Sequence, residues 1–577
     1  MYNFDEIIDR SNTNSVKYGV SKMMYPGLPD GYIPMWIADM DFACPQPILD
    51  AMKARLDKRI LGYSMVLDPE YFAALAGWMK NRHNWEVDPS TSLFSSGVVP
   101  ALNVAVQMLT KETDGVLLNT PAYHPFDDAI KKYGRRPVYS RLLCRDGRYE
   151  IDWEDFEAKA KDPGVTLYFL CNPHNPTGRV WSKEELRRIG EICFANNVFV
   201  VSDEIHFDFI RAGVEHTVFA SLFPDEKRII TCTAPSKTFN LAGNQLSNIF
   251  FADPALQQQW QGAQVFGQPN PLSIDACKAA YTQCAGWLDE LNAYLDENFR
   301  HFAQRIREEL PGVRFTIPES TYLAWVDVSG TGLSRQELAL RMVKAGLHIE
   351  FEDEFVDNGE GHVRMNLACP RSVIDRAVDA MVKAIGPGTE PPTPRVKVGD
   401  VLPDFTVDTP WQRGVPLSRV LDGKPAMLLF LRYNGCPLCQ LDMHELAAHY
   451  DLVEAAGGRA AVVLQSDPDK LKEQLKSPDA LPYAILCDSE KKLYQSLAVW
   501  PAAGQMELMG PGLMEKMNQV QAQGIQHGDY EGDEMQLPAA FAVDGGRRVA
   551  WVHYSRGLAD TPAPAQIAEI LKGIVSQ

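Results

Sequence analysis

Between residues 165 and 253 short apolar runs alternate with stretches of helical periodicity. VTLYFLC (165–171), VFVVSD (198–203), RIITCTA (228–234) and SNIFFAD (247–253) read as buried parallel strands. Between the first two, Ser182 and Glu185 stand at capping-box spacing. The helix they open turns Leu186, Ile189 and Cys193 to one face. Strand alternating with helix predicts an α/β fold around a mostly parallel sheet. A break falls at GPGTEPPTPRVKVG (386–399), whose four prolines oppose both helix and central strand. The apolar periodicity of AVDAMVKAIG ends just before it, and a new strand–helix alternation starts after it. The expected organisation is a domain over 1–385, a linker over 386–397 and a second domain over 398–577.

Ligands of open α/β sheets collect at the carboxyl ends of the strands. There the chain carries Asn175 in NPHNPTG, Asp203 and His206 in SDEIH, Ser236 and Lys237 in PSKTFN, and Tyr123 after a strand at 115–118. Pyridoxal-phosphate (PLP) chemistry needs such a set. A lysine joins the cofactor, a carboxylate keeps the pyridine nitrogen protonated, an amide meets the phenolate oxygen and a ring stacks on the pyridine. Ser96-Gly97-Val98-Val99 opens a helical pattern and offers backbone N–H groups to a phosphate. Singly, each residue has a plainer reading: a solvated lysine, a turn, a helix N-cap. Their order and spacing single them out together.

MWIADMDF, GYS, TPAYHPF, CNPHNPTGRVW, SDEIHFDF, APSKTFNLAG, STYLAW and VRMNLACPR together resemble the MalY/PatB family of C–S β-lyases over about residues 1–385. The resemblance implies a fold-type I PLP enzyme with a small α/β domain beside the main sheet. By position, Lys237 is then the cofactor lysine and the acid/base at Cα, Asp203 the pyridine partner, Asn175 the phenolate partner and Tyr123 the stacking ring. Gly97, Val98 and Ser236 hold the phosphate, joined by Tyr63 from a second subunit, which implies a homodimer. Arg364 binds the substrate carboxylate, and His206 either supports the cofactor edge or is a satisfied helix-start histidine. Gln245 stands eight residues after the lysine, where many aminotransferases carry an arginine for the phosphate.

In the second domain a strand, AMLLFLRYNG, leads into Cys436-Pro437-Leu438-Cys439 at a helix start. A helix N-terminus lowers a thiol pKa, which makes Cys436 the attacking thiolate and Cys439 the resolving partner. With VGDVLPDFTVDT before it, the segment resembles the AhpC/TSA peroxiredoxin-like group over roughly 396–577, on a thioredoxin-like fold. That fold implies a cis-proline facing the cysteines, with Pro538 as the candidate. Tyr433 occupies the place of the usual threonine, which speaks against efficient peroxide reduction. A zinc site is a weaker reading of the CxxC, because no second pair follows at suitable spacing, and no metal is expected.

Composition narrows the partners. A net charge of −19 opposes nucleic-acid binding, and no apolar stretch approaches a membrane span. The acidic start MYNFDEIIDRSN is unlike a signal peptide. Apart from the CxxC the cysteines are scattered; Cys171, Cys193 and Cys232 read as small buried hydrophobes in a reducing, cytoplasmic protein. The expected activity is β-elimination from a sulfur amino acid such as cystathionine, giving thiol, pyruvate and ammonia. Its alternatives are an aminotransferase and a PLP-fold regulator that acts through protein partners.

Overall fold

The computed structural model describes residues 2–263 and 268–575. They divide into two compact units. The first comprises the chain up to Tyr18, Gly31–Thr331 and Gly346–Gly388; the second comprises Gly19–Asp30, Gly332–Ala345 and the chain from Thr389 on.

Eight strands build the main sheet of the first unit. Their spatial order is Ser92–Ser95, Ser247–Phe251, Ile229–Thr233, Phe199–Asp203, Val165–Cys171, Gly115–Thr120, Arg136–Arg145 and Arg148–Ile151. From Ile229–Thr233 across to Arg136–Arg145 every neighbouring pair is parallel. Successive side chains alternate between two cores. Leu167 and Phe169 pack with Val201 and Ile230 on one face, while Tyr168 and Leu170 pack with Val200 on the other. The capping box forms as expected, with Ser182 Oγ accepting from Glu185 N and Glu185 accepting from Ser182 N. Its helix, Lys183–Ala195, buries Leu186, Ile189 and Cys193.

One strand departs from expectation. Ser247–Phe251 is buried throughout but runs antiparallel to both neighbours. A parallel return needs a crossover, usually a full helix. Here the connection holds only the short turns Pro235–Thr238 and Ala242–Asn244, so the chain doubles back. A smaller antiparallel sheet of Leu323–Asp327, His362–Asn366 and Glu350–Phe351 belongs to the same unit.

The second unit holds a five-stranded thioredoxin-like sheet. Its order is Ala484–Cys487, Arg459–Leu464, Ala426–Phe430, Ala539–Val543 and Val549–Tyr554. Met427 and Leu429 face one core, Leu428 and Phe430 the other. The expected cis-proline is absent. The cis peptides among the described residues precede Pro121, Pro173 and Pro176, and Leu537–Pro538 is trans. Gln536 instead sets the approach to the strand, its buried amide donating to Val499 O and Leu537 O at 3.1 and 3.0 Å. No described helix is long and apolar enough to cross a membrane.

The NPTG turn depends on Gly178, which sits at φ +67° and donates its N–H to His174 O at 2.7 Å. A Cβ there would lie 2.4 Å from Pro318 Cβ and 3.0 Å from Ser320 O. Gly178→Ala is therefore expected to destabilise the first unit by about 2–3 kcal/mol, from left-handed strain and overpacking together. Calorimetric melting tests this; an unshifted transition would mean the turn yields freely.

Candidate active site

The carboxyl ends of the parallel strands bring the expected polar residues together. Asp203 ends one strand and Cys171 its neighbour, in register with each other. Asn175 follows the second in the NPHNPTG turn, and Lys237 lies in the Pro235–Thr238 turn beyond the next strand. Tyr123, half-buried, caps the helix His124–Lys132, which follows Gly115–Thr120. Val98 and Ala234 share one apolar cluster, with Tyr123, Cys171 and Ile205 packed against it. The start of the helix Val98–Leu109 is thereby drawn to the same sheet edge. Gly97 is its N-cap and makes no side-chain cap, so the first-turn N–H groups have no side-chain acceptor there.

Two adjacent acids have opposite surroundings. Glu204 is fully buried and well supplied: its carboxylate pairs with His216 at 2.7 Å and accepts from Ser202 Oγ at 2.8 Å and Phe219 N at 2.9 Å. Among the described residues the Asp203 carboxylate accepts only from Ile205 N, at 3.1 Å. Burial pushes its carboxyl up to about 7, opposed by that N–H and by the charge of Lys237. His206 is buried with Nδ1 unpartnered among the described residues, and burial with the charges of Lys237 and Arg364 pushes its imidazole down to about 3.

Lys237 donates to Ala38 O at 2.7 Å, and burial lowers its amine to about 8. Tyr322 donates to the same carbonyl at 3.1 Å. The loop that carries Ala38 is fixed from both sides. Asn240 donates to Met40 O and Phe42 O at 2.9 and 3.2 Å, and Asn366 to Ile37 O and Asp39 O at 2.9 and 2.8 Å. A cavity of about 490 Å³ opens here, lined by Ala38, Asp39, Lys237 and Asn240 among others. Behind Lys237, Asp208 accepts from Thr238 Oγ1 at 2.6 Å and holds the turn.

Arg364 is buried and donates through Nη1 to Asn175 Oδ1 at 2.8 Å. That bond identifies Oδ1 as an acceptor and leaves the Asn175 NH2 group as the donor side of the amide. The other Arg364 amino group is ion-paired with buried Glu350, a residue that sequence reading missed. The two are cross-strand partners, fourteen positions apart in sequence, and only the sheet register brings them together. Ser236 is half-buried in the lysine turn. Tyr63 is 98% exposed on the loop between two helices. Gln245 is exposed in a left-handed turn.

The second unit places Cys436 as N-cap of the helix Pro437–Ala448, its sulfur accepting from Cys439 N at 3.3 Å. Arg432, also missed in the sequence, donates from Nη2 to the same sulfur at 3.0 Å. It is anchored by Glu534, whose backbone oxygen accepts from Nη1 at 2.7 Å. The hydrogen bond from the Cys439 thiol and the Arg432 charge hold Cys436 well below an ordinary thiol, against its burial. Burial pushes Cys439 the other way. Tyr433 is buried and its hydroxyl meets His527 Nε2 at 3.1 Å. All eleven cysteines are free thiols.

The chain belongs to the aminotransferase class I and II family, whose model matches residues 32–381. Residues 398–552 match the AhpC/TSA family. Among characterised proteins, the chain is 44% identical over 372 residues to cystathionine beta-lyase PatB of Bacillus subtilis, covering 64% of this chain and 95% of that protein. It is 30% identical to protein MalY of Escherichia coli, over 67% of this chain and 99% of that one. Among solved structures, the PLP-bound C–S lyase from Staphylococcus hominis is 41% identical with a TM-score of 0.64, covering 67% of this chain and 98% of that one.

Two predictions follow from these geometries. In cofactor-free protein, competitive acetylation of Lys237 read by mass spectrometry should show a midpoint near 8, because burial disfavours the ammonium form. A midpoint at the value of a solvated lysine, about 10.4, would remove burial as the cause. In the second unit, Arg432→Gln should raise the Cys436 titration midpoint, followed by thiolate absorbance in Cys439→Ser protein. An unmoved midpoint would show that the guanidinium does not stabilise the thiolate.

Proposed function

We propose that residues 1–385 form a PLP-dependent carbon–sulfur β-lyase for cysteine S-conjugates such as cystathionine, and that residues 398–577 form a thiol–disulfide redox domain. The observation that carries the first reading is Asp203, a buried carboxylate with no cationic group bonded to it, beside a lysine of lowered basicity. A protonated pyridine nitrogen is the partner such a carboxylate lacks. The orphaned Nδ1 of His206 and the open helix start at Gly97 and Val98 also fit the cofactor's ring edge and phosphate. In this reading Ser236 adds a hydroxyl to the phosphate site, Asn175 donates to the phenolate oxygen and Tyr123 covers the ring. When bound, PLP supplies an acceptor for the electrons released at Cα.

The chain's own groups do the rest. Arg364 binds the α-carboxylate and fixes the orientation of Cα. Lys237, whose amine is neutral in part at physiological pH, takes the Cα proton. Asp203 holds a proton at the pyridine nitrogen. The β-sulfur then leaves as thiol, and the remaining fragment hydrolyses to pyruvate and ammonia. Likeness to cystathionine beta-lyase PatB and to a C–S lyase supports elimination over transamination. Tyr63, bare on its own chain, is assigned to the phosphate of a partner subunit in a two-fold dimer. For the second domain, Cys436 attacks a sulfur–sulfur bond and Cys439 resolves the mixed disulfide.

Pyruvate released from cystathionine without any keto-acid acceptor is the expected result. A requirement for such an acceptor would favour the aminotransferase alternative. Lys237→Ala should lower turnover by about 10⁴-fold or more, and Asp203→Asn by about 10²-fold with PLP still bound. Near-normal turnover in either variant would remove that residue from its role.

A further inference from the structure

Cys436 is 0% exposed. A sulfur that touches no solvent touches no reactant either, so part of its cover has to move before it reacts. The segment 527–534, which has neither helix nor strand, lies against the residues around that sulfur. Gly528 donates its N–H to Gly435 O at 2.8 Å, on the residue just before Cys436. The approach is so close that a Cβ on Gly435 would lie 2.1 Å from Asp529 O. Glu534 O accepts at 2.7 Å from Arg432, the guanidinium that also donates to Cys436. Between these fastenings, Asp533 N donates to Gln465 Oε1 at 2.7 Å.

Tyr433 meets the same segment twice. Its ring is fully buried in one apolar cluster with Cys436 and Cys439, and a Cβ on Gly532 would lie 2.9 Å from its Cδ1. Its hydroxyl meets His527 Nε2 at 3.1 Å. His527 Nδ1 lies 2.7 Å from Gly528 O, which can only accept. Nδ1 therefore carries the proton, and Nε2 of the neutral ring accepts from Tyr433. A threonine at position 433 is too short to make either contact. The other side of His527 stacks on Tyr530 of the segment itself, with 4.1 Å between ring centroids.

We infer that Tyr433 and His527 latch the segment 527–534 over Cys436, and that this latch shields the thiolate from small oxidants such as hydrogen peroxide. The inference rests on the thiol–disulfide reading above and adds the residues that set its selectivity. With the latch closed the sulfur is out of reach, so the rate with any small reactant scales with the fraction of open form. A disulfide carried on a polypeptide shifts that balance by binding the uncovered surface, which a peroxide molecule is too small to do.

The test follows alkylation of Cys436 by iodoacetamide against pH in Cys439→Ser protein, read at the Cys436 peptide by mass spectrometry. The midpoint of the profile reports the acidity of the thiol, and the plateau reports access to it. Tyr433→Phe and His527→Ala should each raise the plateau by about fivefold through loss of one hydrogen bond, with the midpoint unmoved. The double variant should be no faster than either single one, because both remove the same bond. Gly528→Ala, whose added methyl would lie 3.0 Å from Gly435 Cα, should raise the plateau by pushing the segment away. Hydrogen peroxide should gain by the same factor. In that reaction the thiolate attacks one peroxide oxygen, the O–O bond breaks, hydroxide leaves and is protonated to water, and the sulfur is oxidised to sulfenic acid. Unchanged plateaus in these variants overturn the inference. A gain explained by a shifted midpoint overturns it too, as do additive gains in the double variant, which would mark two independent packing defects. If reduced wild type cleaves no disulfide of insulin, the redox reading fails, and the alkylation plateau alone decides the latch.

Discussion

A carboxylate held out of water with one backbone N–H to satisfy it is an expensive thing to build, and Asp203 is such a group. The fold could have supplied a partner and did so for the next residue, since Glu204 has His216, Ser202 and a backbone amide around it. The contrast follows from strand geometry. Successive side chains point to opposite faces, so Glu204 turns towards the loops that close the sheet edge while Asp203 turns towards the site. Without a cation the Asp203 carboxyl is driven towards its neutral form. In the proposed reading the matching positive charge arrives with the cofactor, as the protonated pyridine nitrogen.

The same logic sets the lysine. Burial, helped by the charge of Arg364, brings Lys237 down to about 8 against the pull of the nearby acids Asp39, Glu350 and Asp203. Its position is fixed by backbone more than by side chains. Thr238 is tied to Asp208 next to it, and the amine reaches the carbonyl of Ala38 on a loop stitched down by Asn240 and Asn366. Rigid support of this kind suits the role proposed for the amine, which is to meet Cα at one defined place. Arg364 is held in the same manner, by Asn175 on one side and Glu350 on the other.

What could be read from the sequence was whatever is local. The capping box at Ser182 and Glu185, the helix start at Cys436, the apolar strands and the polar residues at their ends depend on neighbours a few positions away, and periodicity records them. Strand direction is not local: SNIFF reads as a buried strand in either sense, and only the short connection through Lys237 reveals the reversal. Glu350 was illegible for a similar reason, since its partner is set by register in a strand only two residues long. Arg432 lies one turn before Cys436 and could have been noticed as a basic residue near a CxxC. The trans form at Pro538 was hidden because a Gln536 amide, not the proline, shapes the approach to that strand.

The two proposed nucleophiles are poised by opposite physics. Burial lowers the basicity of Lys237 because it penalises the charged form. Burial has the reverse effect on a thiol, whose reactive form is the anion, and Cys436 is 0% exposed. Its thiolate therefore has to be supported directly, and three donors do so: the Cys439 thiol, the Cys439 N–H at the helix start and the Arg432 guanidinium. The cysteine site therefore depends on a particular arginine anchored by Glu534. A dry site without such donors would leave Cys436 as inert as the buried cysteines Cys193 and Cys232, whose thiols burial pushes well up.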